Sequence, residues 1–440
     1  MKDNLVKNII YTFLEKTFQI VSGFFSSFII IRILEREDYG IIGIVAGFYA
    51  LLNVFNFSYE SIILKEHKKL EEDKSNELSH FLAFSVMKFV LFFLVSVGLA
   101  VFLNSKYQNV DFLYAIGSIF LVISIDFLPA PLVFYLTSKF KHEIVSKVAF
   151  VRYFFNVVFL IGLYFFPNLQ FIFLKDLFIF VLVLFSWMYI IKFHLRLKTS
   201  ILKNIVRFDR EKFVRNVTDF SLWSHLISCV TFFIYRADTV FLSFFSPLKT
   251  IGNYNVALSC GNFANLAPSI LGFQNSVAIS NISESHDIER VSSSFTRISI
   301  ISSLLMLIGL FVFGEILLQL ITGNNDVSEI LFYTKSIVIG LLIVKSLASP
   351  MVSVINMKGD VKSLFFKVNV PVLFVTAISY YLSSKYFGAR GIALANIANS
   401  LLWVILVYLE FSKMKIKLNL TSGYREDFVK LYGVIRSKIC

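Results

Sequence analysis

Cysteine is nearly missing from this sequence: Cys229, Cys260 and Cys440 are the only three in 440 residues. They show no metal-ligand spacing and two stand in apolar stretches, so neither a disulfide framework nor a metal site is expected. Charge is scarce too, at 16% of residues against roughly 25% in a soluble chain. That shortage excludes a disordered chain and a water-bounded enzyme. The phosphate-binding pattern GxxxxGK[ST] is absent, so no ATP hydrolysis is expected, and HExxH is absent with it. The six histidines are scattered, and no proline-rich or glycine-rich linker divides the chain. No cofactor follows from any of this.

What is present in excess is apolar surface. Hydrophobic residues make up 57% of the chain, 51 of them Phe, and the mean hydropathy is +0.74. Apolar stretches of about 20 residues, each long enough to cross a ~30 Å hydrocarbon layer, recur from end to end. The expected fold is therefore an all-α polytopic membrane protein. A window of about 19 residues marks about twelve spans, at 9–31, 41–64, 81–103, 112–137, 144–166 and 174–194, then 217–246, 253–281, 294–321, 328–355, 365–385 and 392–411. Met1 to Lys7 leads straight into the first of these with no small-residue cleavage site, which reads as a permanent span.

The net charge of +13 does not form one patch, so nucleic acid is not an expected partner. Lys and Arg sit instead in short loops between spans. With the N-terminus inside, the inner loops and tails hold about 29 of them and the outer loops, Lys175 included, about seven. That bias places both termini in the cytoplasm. Two inner segments carry helical periodicity beside basic residues: Ile201, Ile205 and Phe208, and then Phe428, Leu431, Ile435 and Ile439. Both read as helices lying on the membrane face, with membrane lipid as their partner. The expected organisation is a six-helix lobe at 1–195, an amphipathic cytoplasmic linker at 196–215, a second six-helix lobe at 216–411 and an amphipathic tail at 412–440.

The halves echo each other at an offset of 212–219 residues. Asp38-Tyr39-Gly40 with Asn53 corresponds to Thr250-Ile251-Gly252 with Asn265, and Pro131 and Lys139 correspond to Pro350 and Lys358. Six spans per half make the repeats parallel, related by a pseudo-twofold axis along the membrane normal. Repeat transporters bind cargo between such halves.

An ionisable side chain at membrane depth costs about 2.5–3.5 kcal/mol on insertion scales, so each needs a reason. Glu15, Lys16, Glu60, Lys88, Asp126, Arg152, Arg236, Asp238, Lys335 and Lys345 all fall inside spans. Lys88 and Arg152 lie within snorkelling reach of the inner face, and Asp126 precedes Pro129 and Pro131 at a potential kink. Arg236 and Lys345 lie deeper. Polar stripes accompany them: Tyr49, Asn53, Asn56 and Glu60 share one face of the second span. Asn255, Ser259, Asn262, Ser269 and Ser276 share one of the eighth. A face polar over three turns points to a water-filled groove rather than to single interhelical hydrogen bonds. The acids Glu15, Glu60, Asp126 and Asp238 would pair with these cations or hold a coupling ion. Outer loops of about 6–10 residues leave no room for an active site, so no enzyme is expected.

Arg32-Ile-Leu-Glu-Arg-Glu-Asp-Tyr-Gly40 resembles the R-x-L-x-x-x-[DE]-[FY]-G signature of polysaccharide (O-antigen type) flippases, within the multidrug/oligosaccharidyl-lipid/polysaccharide exporter superfamily. Arg236-Ala-Asp238, Gly252-Asn-Tyr254-Asn-Val-Ala257 and Tyr386-Phe-Gly388-Ala-Arg-Gly391-Ile-Ala-Leu-Ala395 are similar to later patterns of that family. The resemblance implies a MATE-like fold of two lobes. It also implies a polyprenyl-diphosphate-linked oligosaccharide as cargo, moved between leaflets of a bacterial inner membrane by alternating access. Other polysaccharide assembly proteins would be further partners. Lys16, Arg152, Arg236 and Lys345 would then meet the diphosphate, and Tyr49, Asn53, Asn56, Asn255 and Asn262 the sugars. The second span departs from the family's cationic pattern by ending its stripe in Glu60. A cation or drug antiporter of the same superfamily is the rival reading, and a membrane glycan polymerase is the enzymatic one.

Overall fold

The structure, a computed structural model, describes residues 2–52, 74–139, 141–195, 210–216, 222–264 and 284–424, with Tyr59, Ile63, Thr218, Pro268, Leu271, Gly272, Asn275 and Ile279 besides. Every regular element among them is helical. Among the described residues, seven helical stretches are long and apolar enough to span a membrane, or eight if a bent pair at His225–Thr231 and Arg236–Phe245 counts as one. The chain divides into two compact units, Met1–His225 and Leu226–Cys440.

In the first unit, α1 is Lys2–Ile33, α2 Arg36–Leu51, α3 Lys74–Tyr107, α4 Asp111–Phe127, α5 Ala130–Ser138, α6 His142–Leu160, α7 Leu169–Ile190 and α8 Arg210–Asn216. α4 packs against α2, α3 and α7, while α6 packs on α1 and α7. The second unit holds α9 (Leu222–Phe245, whose first turn belongs to the first unit), α10 (Leu248–Ala264), α11 (Ser285–Thr322), α12 (Ser328–Ile343), α13 (Ser349–Lys358), α14 (Val361–Leu364) and α15 (Val370–Ser412). Here α12 packs against α10, α11 and α15.

The helices begin and end where local chemistry allows. Asn168 caps α7 by accepting the Phe171 N–H at 2.8 Å, and Asp360 caps α14 through the N–H groups of Lys362 and Ser363. Gly323, at φ 69°, closes α11 with a left-handed turn. α15 holds two helical arms broken at Gly388, at φ 60° and ψ −146°, a conformation almost confined to glycine.

The repeat is visible as local structure. In the first unit α4 stops at Phe127 and a short helix restarts with Pro131 in its first turn. In the second, α12 gives way to a π-helical turn at Val344–Ala348, and a short helix restarts with Pro350 in its first turn. Proline fits there because the first turn needs no N–H donor. Each broken helix is also the core of its unit: 56% of the residues are buried in the apolar window of Asp111–Ser138 and 67% in that of Ser328–Lys358, against 11% in α11. The outer helices instead present apolar side chains outward, such as Leu305, Phe313 and Ile316 on α11 and Phe185 on α7. Large apolar surface of this extent is what lipid contact requires.

Candidate functional site

Within the first unit, helices α1, α4, α6 and α7 line a mostly apolar, partly open cavity of about 380 Å³ into which a cluster of polar side chains projects. Ser22 and Ser26 reach it from α1, Ser118 from α4, Arg152 and Asn156 from α6, and Lys175 and Asp176 from α7. Lys175 and Asp176 are both buried and form an ion pair. Lys175 Nζ also donates to Asn156 Oδ1 at 2.9 Å, Ser118 Oγ donates to Asp176 Oδ2, and Asn156 Nδ2 donates to Ser26 Oγ at 2.8 Å. Arg152 pairs with Asp126 through both terminal nitrogens, the second contact being 3.4 Å. The buried Lys175, Asp176 and the largely buried Arg152 each have a counter-charge, as burial demands, while Asp126 itself is exposed.

Lys175 corrects the sequence reading, which placed it in an outer loop. Asn168 starts α7, so Lys175 stands about 10 Å along the helix at ~1.5 Å per residue. Asp176, Asn156, Ser118, Ser22 and Ser26 were likewise not singled out. The one signal for them was an adjacent Lys-Asp pair inside an otherwise unbroken apolar run. Lys88 is a second correction: it does not snorkel. It is buried, with its ammonium 5.0 Å from the Phe84 ring centroid and 5.5 Å from that of Phe127, a cation–π environment.

The other expected residues of this unit are placed as follows. The hydroxyl of Tyr49 is buried between Ser96 and the Ile116 carbonyl, bracing α2 against α3 and α4. Glu15 Oε2 lies 2.6 Å from His142 Nε2, an ion pair when the imidazole is protonated. Asn53, Asn56 and Glu60 lie outside the described residues, as do the side chain of Lys16 and the segments 196–209 and 425–440 of the expected amphipathic helices.

In the second unit, Asp238 on α9 is fully buried and accepts from the Tyr254 hydroxyl at 2.8 Å and from its neighbour's Thr239 N–H at 2.7 Å. The expected pairing with Arg236 is not formed: two residues apart on one helix, the side chains diverge, and α10 supplies the carboxylate's partner instead. Arg236 and Lys345 are both half-buried, and among the described residues neither has a carboxylate within ion-pairing distance. Lys345 stands on the π-helical turn of Val344–Ala348, where the extra residue turns its side chain out of helical register. Asn255 on α10 is buried and Asn262 is exposed, while Ser269 and Ser276 are outside the described residues.

The two units thus offer different chemistry. The cavity of the first is charge-balanced and rich in hydroxyl and amide partners. Among the described residues of the second, Arg236 and Lys345 have no carboxylate within ion-pairing distance, which favours an anionic ligand.

A family model described as "Polysaccharide biosynthesis protein" matches residues 29–328. No curated protein matches the sequence. Among solved structures, an inward-facing multidrug resistance MATE family transporter of the MOP superfamily superposes with a TM-score of 0.65 at 13% identity, over 91% of this chain and 96% of that one. The lipid II flippase MurJ in an inward closed conformation gives 0.65 at 14% identity, over 97% and 89%. The Vibrio cholerae MATE transporter VcmN in its bent form gives 0.51 at 12% identity, over 93% and 96%. At these identities the likeness is one of fold: the all-α, MATE-like architecture expected from the sequence is the one observed.

Proposed function

The chain belongs to the polysaccharide biosynthesis protein family, and from that premise we propose that it is a flippase for polyprenyl-diphosphate-linked oligosaccharides. It would carry them from the cytoplasmic to the periplasmic leaflet of a bacterial inner membrane, for surface polysaccharides of the O-antigen or capsule kind. Both termini would be cytoplasmic, and the protein would catalyse no bond-making step.

The observation that supports this reading best is Lys345, a half-buried ammonium on a π-helical turn of the most buried helix of its unit, with no counter-charge among the described residues. A cation kept unpaired at such depth is costly unless an anion visits it. A diphosphate is such an anion. Arg236 would add forked, charge-assisted hydrogen bonds to its oxygens. Sugar hydroxyls would meet Asn255 and Asn262 on α10 of the same unit, while the polyprenyl chain stays in lipid. Moving negative charge outward against an inside-negative potential is downhill by about 2.3 kcal/mol per charge per 100 mV, so no coupling ion is required.

Replacing Lys345 or Arg236 with Ala should lower glycan display at the cell surface at least tenfold, on the order of one charge-assisted hydrogen bond, with protein levels unchanged. Lys at 236 should restore part of it. Full display in both Ala variants refutes the assignment. A cation or drug antiporter is the second reading, favoured by the buried carboxylates Asp176 and Asp238 with their hydroxyl partners. It requires raised drug tolerance on overexpression, with no change in surface glycan.

A further inference from the structure

The second unit contains a large cavity that the transport reading does not use. It has a volume of about 1630 Å³ and lies between the start of α11, the end of α15 and the segment 413–424. α11 is 38 residues long, about 57 Å at ~1.5 Å per residue, well beyond a ~30 Å hydrocarbon layer. Its first turns therefore project past the membrane, on the side that the Lys and Arg count makes cytoplasmic.

After α15 ends at Ser412, the chain arches over those turns and is tied to them bond by bond. The Lys417 N–H donates to Glu289 Oε1 at 2.8 Å, and the Asn419 N–H to Ser293 Oγ at 2.9 Å. Arg297 Nη1 donates to the Asn419 carbonyl at 2.6 Å. Gly423, at φ 94°, lets the strap pass so close that a Cβ there would lie 2.9 Å from the Arg297 guanidinium. Lys415 is held at φ 57°, a conformation unfavourable for lysine.

The arch gives the cavity two unlike walls. Val404, Tyr408 and Phe411 of α15 form an apolar wall continuous with the lipid-facing surface, and Tyr408 is 60% exposed. Arg290, Lys415 and Lys417 line the opposite, cytoplasmic rim, with Arg297 buried under the strap behind them. Against the three rim cations stands one carboxylate in the lining, Glu289, already engaged by the strap. An apolar wall at acyl-chain depth under a cationic rim at headgroup depth matches the two ends of one molecule type.

We propose that this cavity binds an anionic phospholipid of the cytoplasmic leaflet. The phosphate would sit against Arg290, Lys415 and Lys417, and the upper acyl chains along Val404 and Tyr408. The proposal is independent of the cargo and is read by binding, so its failure would leave the flippase reading untouched.

The test uses the purified full-length chain in detergent, titrated with cardiolipin or phosphatidylcholine. Bound lipid is counted by native mass spectrometry, and thermal unfolding is followed by tryptophan fluorescence. Cardiolipin should bind stoichiometrically and raise Tm, and phosphatidylcholine should not. Lys415→Gly, which suits the left-handed backbone and removes one cation, should weaken cardiolipin about fivefold. Arg290→Glu/Lys417→Glu, at two exposed positions, should weaken it at least twenty-five-fold, roughly fivefold for each cation lost. The equal-charge control Lys192→Glu/Lys358→Glu, elsewhere on the basic face, should bind as the parent does. An equal response to phosphatidylcholine, or an equal loss in the control, overturns the site. So does a full-length chain that neither retains cardiolipin nor shifts its Tm with it.

Discussion

At the scale of single residues, the energetics of the first unit turn on Lys175 and Asp176. Both are almost fully buried, and each is satisfied by the other and by Asn156 and Ser118. Removing one member of such a pair leaves a buried charge with nothing to neutralise it, a loss of about 3–5 kcal/mol, whereas replacing both with apolar side chains is often close to neutral. Lys175→Met should therefore lower the thermal midpoint of the purified protein sharply, and Lys175→Met/Asp176→Leu should recover most of it. A single variant no worse than the double would mean that the pair is solvated and the cavity open to water. The pair was hard to see in the sequence for a physical reason. A lysine near the start of an apolar run looks like loop until the cap is located, and the cap at Asn168 depends on a backbone geometry that composition does not reveal.

At the scale of elements, the breaks matter more than the helices. Gly388 separates the two arms of α15 at φ 60° and ψ −146°, where any side chain costs about 1–3 kcal/mol. Gly388→Ala should destabilise by that order. Gly98→Ala, on an ordinary turn of α3 where a Cβ meets nothing within 4 Å, should be neutral or slightly stabilising from helix propensity alone. Equal midpoints for the two variants would show that the break at 388 is not required. This break was legible, because Tyr386-Phe-Gly388 interrupts the apolar run. The interruptions before Pro131 and Pro350 were legible only as prolines. Apolar sequence continues on both sides of each, so hydropathy alone merges two short helices into one span. The structure adds what occupies the break. At the shared offset of 219, Asp126 in the first unit corresponds to Lys345 in the second, so one repeat position carries opposite charges. Asp126 is neutralised by Arg152, and Lys345 is neutralised by nothing described. The same repeat position is thus a charge-balanced contact in one unit and a candidate anion ligand in the other.

At the scale of the whole molecule, the sequence sorts Lys and Arg unequally between the expected inner and outer loops. The loops that the Lys and Arg count would make outer include an acidic group, where the turn between α1 and α2 meets the start of α4. Asp38 lies in that group, on the Asp-Tyr-Gly motif. Partial burial, with Asp111, Glu35 and Glu37 nearby, pushes its carboxyl up from 3.8 to about 6. A carboxyl whose folded value exceeds its unfolded one keeps its proton in the fold over a pH range where the unfolded chain has lost it. Stability then falls as pH rises from about 4 to about 6 and is level above that. At neutral pH the ionised side chain is a net cost to the fold. Asp38→Asn should raise the thermal midpoint at pH 7 and leave it nearly unchanged at pH 4. The gap between variant and parent should open across the interval between, while titrations of other groups cancel in the difference. A gap of constant size from pH 4 to 7 would show that Asp38 titrates as it does in water, and that the acidic turn exerts no field on the motif.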